Sequence, residues 1–150
     1  DIDLVINTHL HFDHCGQNAV FRHAAHYVQR AELDRAERES RALYDWFDFM
    51  NARFELLDGD AEILPGLSVI ATPGHTTGHQ SVVVEAGDGE KDVMIGDAAY
   101  TPRLYLDPPD EDLPDGQASD VTAWRDSLSR VRSTGASRVH FCHNTQVVHA

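Results

Sequence analysis

The 150 residues carry 12 Lys and Arg against 25 Asp and Glu, a net charge of −13 with histidine neutral. So acidic a chain lacks the basic face that phosphate backbones and anionic membranes require, so neither nucleic acid nor a membrane surface is an expected partner. The hydrophobic share of 41% and charged share of 25% suit a globular domain, and a chain of this length buries about 70% of the surface it exposes when unfolded.

One domain over 1–150 is therefore expected. No apolar run approaches the roughly 18 residues of a membrane span. The start, "DIDLVI", has no Met and no leader-like apolar region, and reads as a piece of a longer chain. Two cysteines, Cys15 and Cys142, do not make a disulfide framework. The expected compartment is the reducing cytoplasm.

"DLVINT" reads as a buried strand and "HYVQ" (26–29) as a short one. Residues 30–54 read as helical with a break near Ser40. "FELLDGDAEILPGLSVIATPG" carries two or three short strands with turns at Asp58-Gly59 and Pro65-Gly66. "SVVVEA" and "DVMIGD" form a hairpin through "GDGEK". Residues 101–117, rich in Pro and Asp, read as a surface loop. An amphipathic helix follows. Ser119 is its expected N-cap, Val121, Trp124, Leu128 and Val131 its apolar face, and Gly135 its stop. "RVHFCH" reads as the last strand.

The chemistry concentrates at the end of the first strand. His9, His11, Asp13 and His14 place four metal-ligand side chains within six positions. Imidazole suits zinc and iron, and carboxylate adds a hard anionic donor. One metal would leave part of this set unused. Two adjacent metals use all four, His9 and His11 on one, Asp13 and His14 on the other. Further ligand types stand at later strand ends: His75 in "TPGH", Asp97 in "MIGD", His143 in "FCHN". Taken singly, each reads as a turn or surface residue. Joined to the cluster they complete a set for two ions, with Asp97 able to bridge. No GxSxG, P-loop or GxGxxG motif competes.

His9-Leu10-His11-Phe12-Asp13-His14 is the HxHxDH pattern, and the chain resembles the metallo-β-lactamase superfamily. Through "INTHLHFDHCGQN", "TPGHTTGHQS", "GDAAYT" and "FCHN" it is most similar to the N-acyl-homoserine lactonases. The resemblance implies an αββα fold, two β-sheets packed face to face with flanking helices, with the family's N-terminal strands missing here. It implies His9, His11 and His75 on one metal, Asp13, His14 and His143 on the other, and Asp97 bridging. The implied metals are two divalent ions, zinc first, with manganese, iron or cobalt as alternatives. Tyr100 matches a tyrosine that contacts the lactone in that family. The implied reaction is hydrolysis of a lactone ring by a metal-bridging hydroxide, with Asp13 carrying the proton. In its biological setting this is quorum quenching.

Other expectations on the same scaffold are a thioester hydrolase of the hydroxyacylglutathione type and a mononuclear iron sulfur dioxygenase. A third is a non-catalytic metal-binding domain. The expected partner is a small lactone or ester. The aromatic run Leu43, Tyr44, Trp46, Phe47, Phe49 and Met50 is read as packing on the sheet or on a second subunit, as in a homodimer, ahead of serving as an acyl-chain wall. His79 matches a histidine common in the family's motif and is expected to be a structural or ligand-supporting group and not a ligand; His140 and Cys142 have no assigned role. Cys15 is expected to be a small buried side chain.

Overall fold

The computed structural model describes residues 2–39, 46–110 and 112–149. Two sheets carry the chain. Strands β1 (Leu4–Ile6), β2 (Ala25–Gln29) and β3 (Phe54–Leu57) form a parallel sheet in the order β1-β2-β3. The second sheet has six strands in sequence order: β4 (Ala61–Leu64), β5 (Leu67–Ala71), β6 (Gln80–Glu85), β7 (Lys91–Met94), β8 (Arg138–His140) and β9 (Val147–His149). All its pairs are antiparallel except β7 with β8. The helices are α1 (Phe12–Cys15), α2 (Arg30–Glu39), α3 (Pro102–Leu106) and α4 (Val121–Ser133). The result is the expected αββα layering.

Strand direction decides where the chemistry goes. Because β6 is antiparallel to both β5 and β7, and β8 is parallel to β7, strands β5, β7 and β8 point the same way. Their C-terminal ends leave one edge of the large sheet. His75, Asp97 and His143 all follow those ends. Open sheets bind ligands just beyond the carboxyl ends of their strands.

Buried amides stitch the two sheets together. Gln80, at the start of β6, donates to the Asn7 carbonyl at 2.8 Å and accepts from Gln29 Nε2 at 2.8 Å. Its own N–H donates to the Thr8 carbonyl at 2.9 Å. These bonds tie the end of β1, and so the HxHxDH loop, to the edge of the six-stranded sheet. The main apolar core lies between that sheet and α4, around Val83, Val93, Ile95, Trp124, Leu128 and Val139. Burying such side chains contributes about 1.5–3 kcal/mol each. A second cluster of Leu10, Cys15, Val28, Ala36 and Phe47 joins α2 to the small sheet.

Several boundaries differ from expectation. The helix expected over 30–54 is α2 to Glu39, and Phe54 opens β3; Leu43 and Tyr44 lie outside the described residues. Residues 101–117 are not all loop. Thr101 accepts from the Leu104 N–H, Pro102 sits where no helical N–H is needed, and a short helix buries Leu104 and Tyr105. The N-cap of α4 is Asp120, whose side chain accepts from the Ala123 N–H. Ser119 instead donates its hydroxyl to the Gly74 carbonyl. Val121 is 44% exposed, and the buried face of α4 begins at Trp124. The chain also makes one strand beyond the expected last one, β9.

Candidate metal centre

Four loops deliver seven ligand-type side chains to one place. The HxHxDH loop leaves β1 and winds at once into α1, whose four residues Phe12–Cys15 carry Asp13 and His14 on the turn after His9 and His11. His9 Nε2, His11 Nδ1 and His75 Nε2 converge with separations of 3.0, 3.2 and 3.1 Å. Asp97 Oδ2 lies 3.3 Å from His75 Nε2, 3.7 Å from His9 Nε2 and 3.3 Å from His14 Nε2. On the other side, Asp97 Oδ1 is 3.2 Å from His143 Nε2. Asp13 Oδ2 is 3.5 Å from His14 Nε2 and 3.7 Å from His143 Nε2. His9, His11, His75 and Asp97 thus form one ligand group, and Asp13, His14 and His143 a second. The first is largely buried; Asp13 and His143 leave the second open to solvent.

The donor set fits cations. Three ring nitrogens face one another at 3.0–3.2 Å, close to the edge of about 3.3 Å that nitrogens at 2.0–2.1 Å around a tetrahedral zinc would make. His14 Nε2 and Asp97 Oδ1 are buried without a hydrogen-bond partner. Orphaned buried polar atoms are costly, and a bound ion would satisfy both. Burial, with the neighbouring histidines, pushes the His9 pKa well below the ordinary imidazole range, so it stays a neutral donor. Burial also lowers His11 and His75. His14 differs. Burial alone would lower its pKa, but Asp97, the Cys142 thiol and Asp13 outweigh it and hold it up to about 10.

A sequence profile of the metallo-beta-lactamase superfamily matches residues 1–143. The chain belongs to the metallo-beta-lactamase superfamily. An N-acyl homoserine lactonase from a Bacillus species is 38% identical over 105 residues, 70% of this chain and 42% of that protein. One from Bacillus cereus is 35% identical over 107 residues, 71% of this chain and 42% of its own length. The chain thus spans less than half of these relatives. A solved N-acyl homoserine lactone hydrolase, with N-hexanoyl-L-homoserine bound at its catalytic metal centre, superposes with a TM-score of 0.78 at 27% identity, covering 92% of this chain and 54% of that one.

Around the superfamily motif, buried groups fix the ligand side chains; of these the sequence singled out His79 as a supporting group but not Gln117. The Gln117 carbonyl accepts from His75 Nδ1 at 3.2 Å, which places the proton on Nδ1 and leaves the Nε2 lone pair for the cluster. The Gln117 side chain donates to the Asp97 carbonyl at 2.9 Å and accepts from the Tyr100 N–H at 3.2 Å. His79 is fully buried, and its Nε2 accepts from the Asp97 N–H at 3.0 Å while Nδ1 donates to the Thr72 carbonyl at 3.1 Å. Burial lowers its pKa to about 3, which keeps that neutral tautomer. Gly96 is required beside it. Its φ is +61°, and a Cβ there would lie 2.7 Å from His79 Nε2. Trp124 Nε1 donates to the Ala98 carbonyl at 2.6 Å, so α4 fastens the Asp97 turn.

Glu32 does the same for two other loops. It is fully buried on α2, accepts from the Leu10 N–H at 2.8 Å and the Thr76 hydroxyl at 2.6 Å, and pairs with Arg35 at 2.6 Å. Burial alone would raise its pKa, but Arg35, Thr76 and Leu10 together hold it below the usual carboxylate range. Its sequence signal was slight: a carboxylate four residues before the buried Ala36, with Arg35 three residues on. Glu32→Gln turns an amide donor toward donors. It should weaken metal affinity about 10–100-fold, as for other groups that orient ligands. Metal titration checks this, and an unchanged affinity with a lowered melting temperature would limit Glu32 to holding α2.

The unassigned residues also find places. Cys15 is buried, and burial, Glu32 and Asp13 push its thiol up to about 12, so it is the inert packing group expected. His140 points to Asp92 at 2.7 Å, alongside the Arg138–Asp92 pair at 2.6 Å, and belongs to the surface of β7 and β8. Trp46, Phe47, Phe49 and Met50 were expected to pack; Phe47 does, at 2% exposure, Met50 does not, at 84%, and Trp46 and Phe47 also line the cavity above the ligands. No helix among the described residues is long and apolar enough to cross a membrane.

Proposed function

We propose that residues 1–150 form one metallo-beta-lactamase-type unit of a hydrolase that opens the ring of N-acyl-homoserine lactones. The observation that carries this reading is the cavity of about 550 Å³ over the ligand cluster. Its floor is His11, Asp13, His75, Asp97 and His143; its walls are Leu10, Phe12, Trp46, Phe47 and Tyr100. Phe12 is 61% exposed and stacks obliquely on Trp46 with ring centroids 5.2 Å apart. An aromatic pair, Phe12 exposed and Trp46 half-buried, beside a polar floor suits a substrate with a hydrolysable polar head and an apolar tail. The lactonases it resembles act on such molecules by name.

His9, His11 and His75 would hold one divalent ion, Asp13, His14 and His143 the other, and Asp97 would reach both. When bound, the ions, zinc by the donor set, supply acidified water and positive charge for a carbonyl oxygen. The chain's own residues do the rest. The apolar walls hold the acyl tail and exclude water from it. Tyr100 donates its hydroxyl to the Gly116 carbonyl at 2.9 Å in the free chain, and turns that proton to the lactone carbonyl as charge develops there. Asp13, exposed at the cavity floor, takes the proton of the attacking water and passes it to the ring oxygen as the C–O bond breaks. Water is added across one ester bond, and the product is an N-acyl-homoserine. An exposed free Cys142 fits a reducing compartment such as the cytoplasm.

A panel of acyl-homoserine lactones, thioesters and nitrocefin tests the reaction class. Turnover should be greatest on the lactones, and thioester preference would overturn the reading. Elemental analysis should find two ions per chain, which also separates it from a mononuclear dioxygenase. Chelation offers a further check. An ion at a hundredfold excess over its dissociation constant stabilises the folded chain by about 2.7 kcal/mol. At this chain length that is roughly 5–11 °C in melting temperature. Removal should cost that much and zinc should restore it; no shift after confirmed metal loss would mean the ions do not bind the folded site.

A further inference from the structure

Cys142 precedes His143 in the loop after β8, a free and exposed thiol. Its Sγ, a His14 ring nitrogen and an Asp97 carboxylate oxygen all lie within 4.8 Å of one another. The Asp97 side chain is 4% exposed, and its Oδ1 has no hydrogen-bond partner. The thiol thus borders the place where this buried carboxylate stands. This triad is distinct from Asp13, His14 and His143 but shares His14 with it.

We propose that Cys142 is a thiolate ligand in a His14–Asp97–Cys142 position, which makes the second metal site select for thiophilic ions. The proposal rests on the two-metal reading above. His14 Nε2 has one lone pair and can serve one ion at a time. An ion at His14 is therefore drawn either toward Asp13 and His143, an oxygen and nitrogen set, or toward Cys142. Soft thiolate favours zinc, cobalt(II) or cadmium, whereas carboxylate suits manganese and magnesium. On coordination the Sγ–H proton leaves to solvent as the sulfur–metal bond forms, and no electrons change hands.

Metal-free chain loaded with cobalt(II) tests this by absorption. A near-ultraviolet sulfur-to-cobalt charge-transfer band is expected in the wild type and should be absent in Cys142→Ala and Cys142→Ser, both folded by circular dichroism. Labelling of Cys142 by a thiol reagent should slow when cobalt is bound. The affinity of the second ion should fall at least about 100-fold in Cys142→Ala, because a direct ligand costs more than the roughly 10–100-fold of a group that only orients one. Cobalt bound without the band, or a band that survives Cys142→Ala, overturns the proposal. Elemental analysis of the same samples separates the two ideas. Two ions and no band removes Cys142 and leaves the two-metal reading intact. One ion removes the two-metal reading, while the presence or loss of the band still decides Cys142.

Discussion

Asp97→Asn should abolish most activity and remove at least one of the two ions. The carboxylate is 3% exposed and stands between the two ligand groups, with Oδ2 3.3 Å from both His75 and His14 and Oδ1 3.2 Å from His143. An asparagine keeps the shape but removes the anion, and it turns a donor toward ring nitrogens that need an acceptor or a cation. Two divalent ions held close together need that negative charge between them. Loss of a group that only orients a ligand costs about 10–100-fold, so a direct ligand shared by both ions should cost at least about 100-fold. The backbone has its own supports, His79 on the N–H and Gln117 on the carbonyl, so the variant should fold. Asp34→Asn, on the exposed side of α2, is the control and should be mild. Wild-type turnover with both ions bound in Asp97→Asn would refute the bridging role.

Tyr100→Phe should lower turnover on an acyl-homoserine lactone on the order of 10–1000-fold, taking the loss of one oxyanion donor as the guide. The ring is held edge-on between His75, at 5.8 Å, and His143, at 5.3 Å, so phenylalanine can occupy the same place. Only the hydroxyl and its bond to the Gly116 carbonyl disappear. That bond contributes about 0.5–1.5 kcal/mol to stability, a small shift in melting temperature that leaves the fold intact. Both ions should remain, since Tyr100 is not among the ligand groups. If the hydroxyl only positions substrate, KM should rise with turnover nearly unchanged. Unaltered kinetics at full metal occupancy would remove Tyr100 from the reaction.

The superfamily and the ligand types were legible in the chain because both rest on local order. A β-rich run followed by His9, His11, Asp13 and His14 needs no partner to be recognised. The glycines at Gly59 and Gly66, both with positive φ, mark their turns in the same way. The apolar spacing of Trp124, Leu128 and Val131 likewise announced α4. Where a short-range signal was outvoted by composition it was missed, as with Thr101-Pro102 opening α3 inside a Pro- and Asp-rich stretch.

The convergence of His75, Asp97 and His143 was a different matter. Each follows its own strand, and a histidine after a strand meets another only if the two strands point the same way. That depends on β6 running antiparallel between β5 and β7, and on β8 returning parallel to β7 through α4. Gln117, Glu32 and Cys142 depend on it still more. Gln117 reaches Asp97 across 20 positions, Glu32 holds Thr76 across 44, and the Cys142 thiol comes within 4.8 Å of a His14 ring nitrogen from the far end of the chain. Nothing within a few residues of any of them distinguishes a solvated polar side chain from one bonded at a metal site. The sequence by itself determined which donors were present and which strands carry them. Only the packing of two sheets brings those donors within a few ångströms of one another, because hydrogen bonds act over that range while the residues they join lie dozens of positions apart.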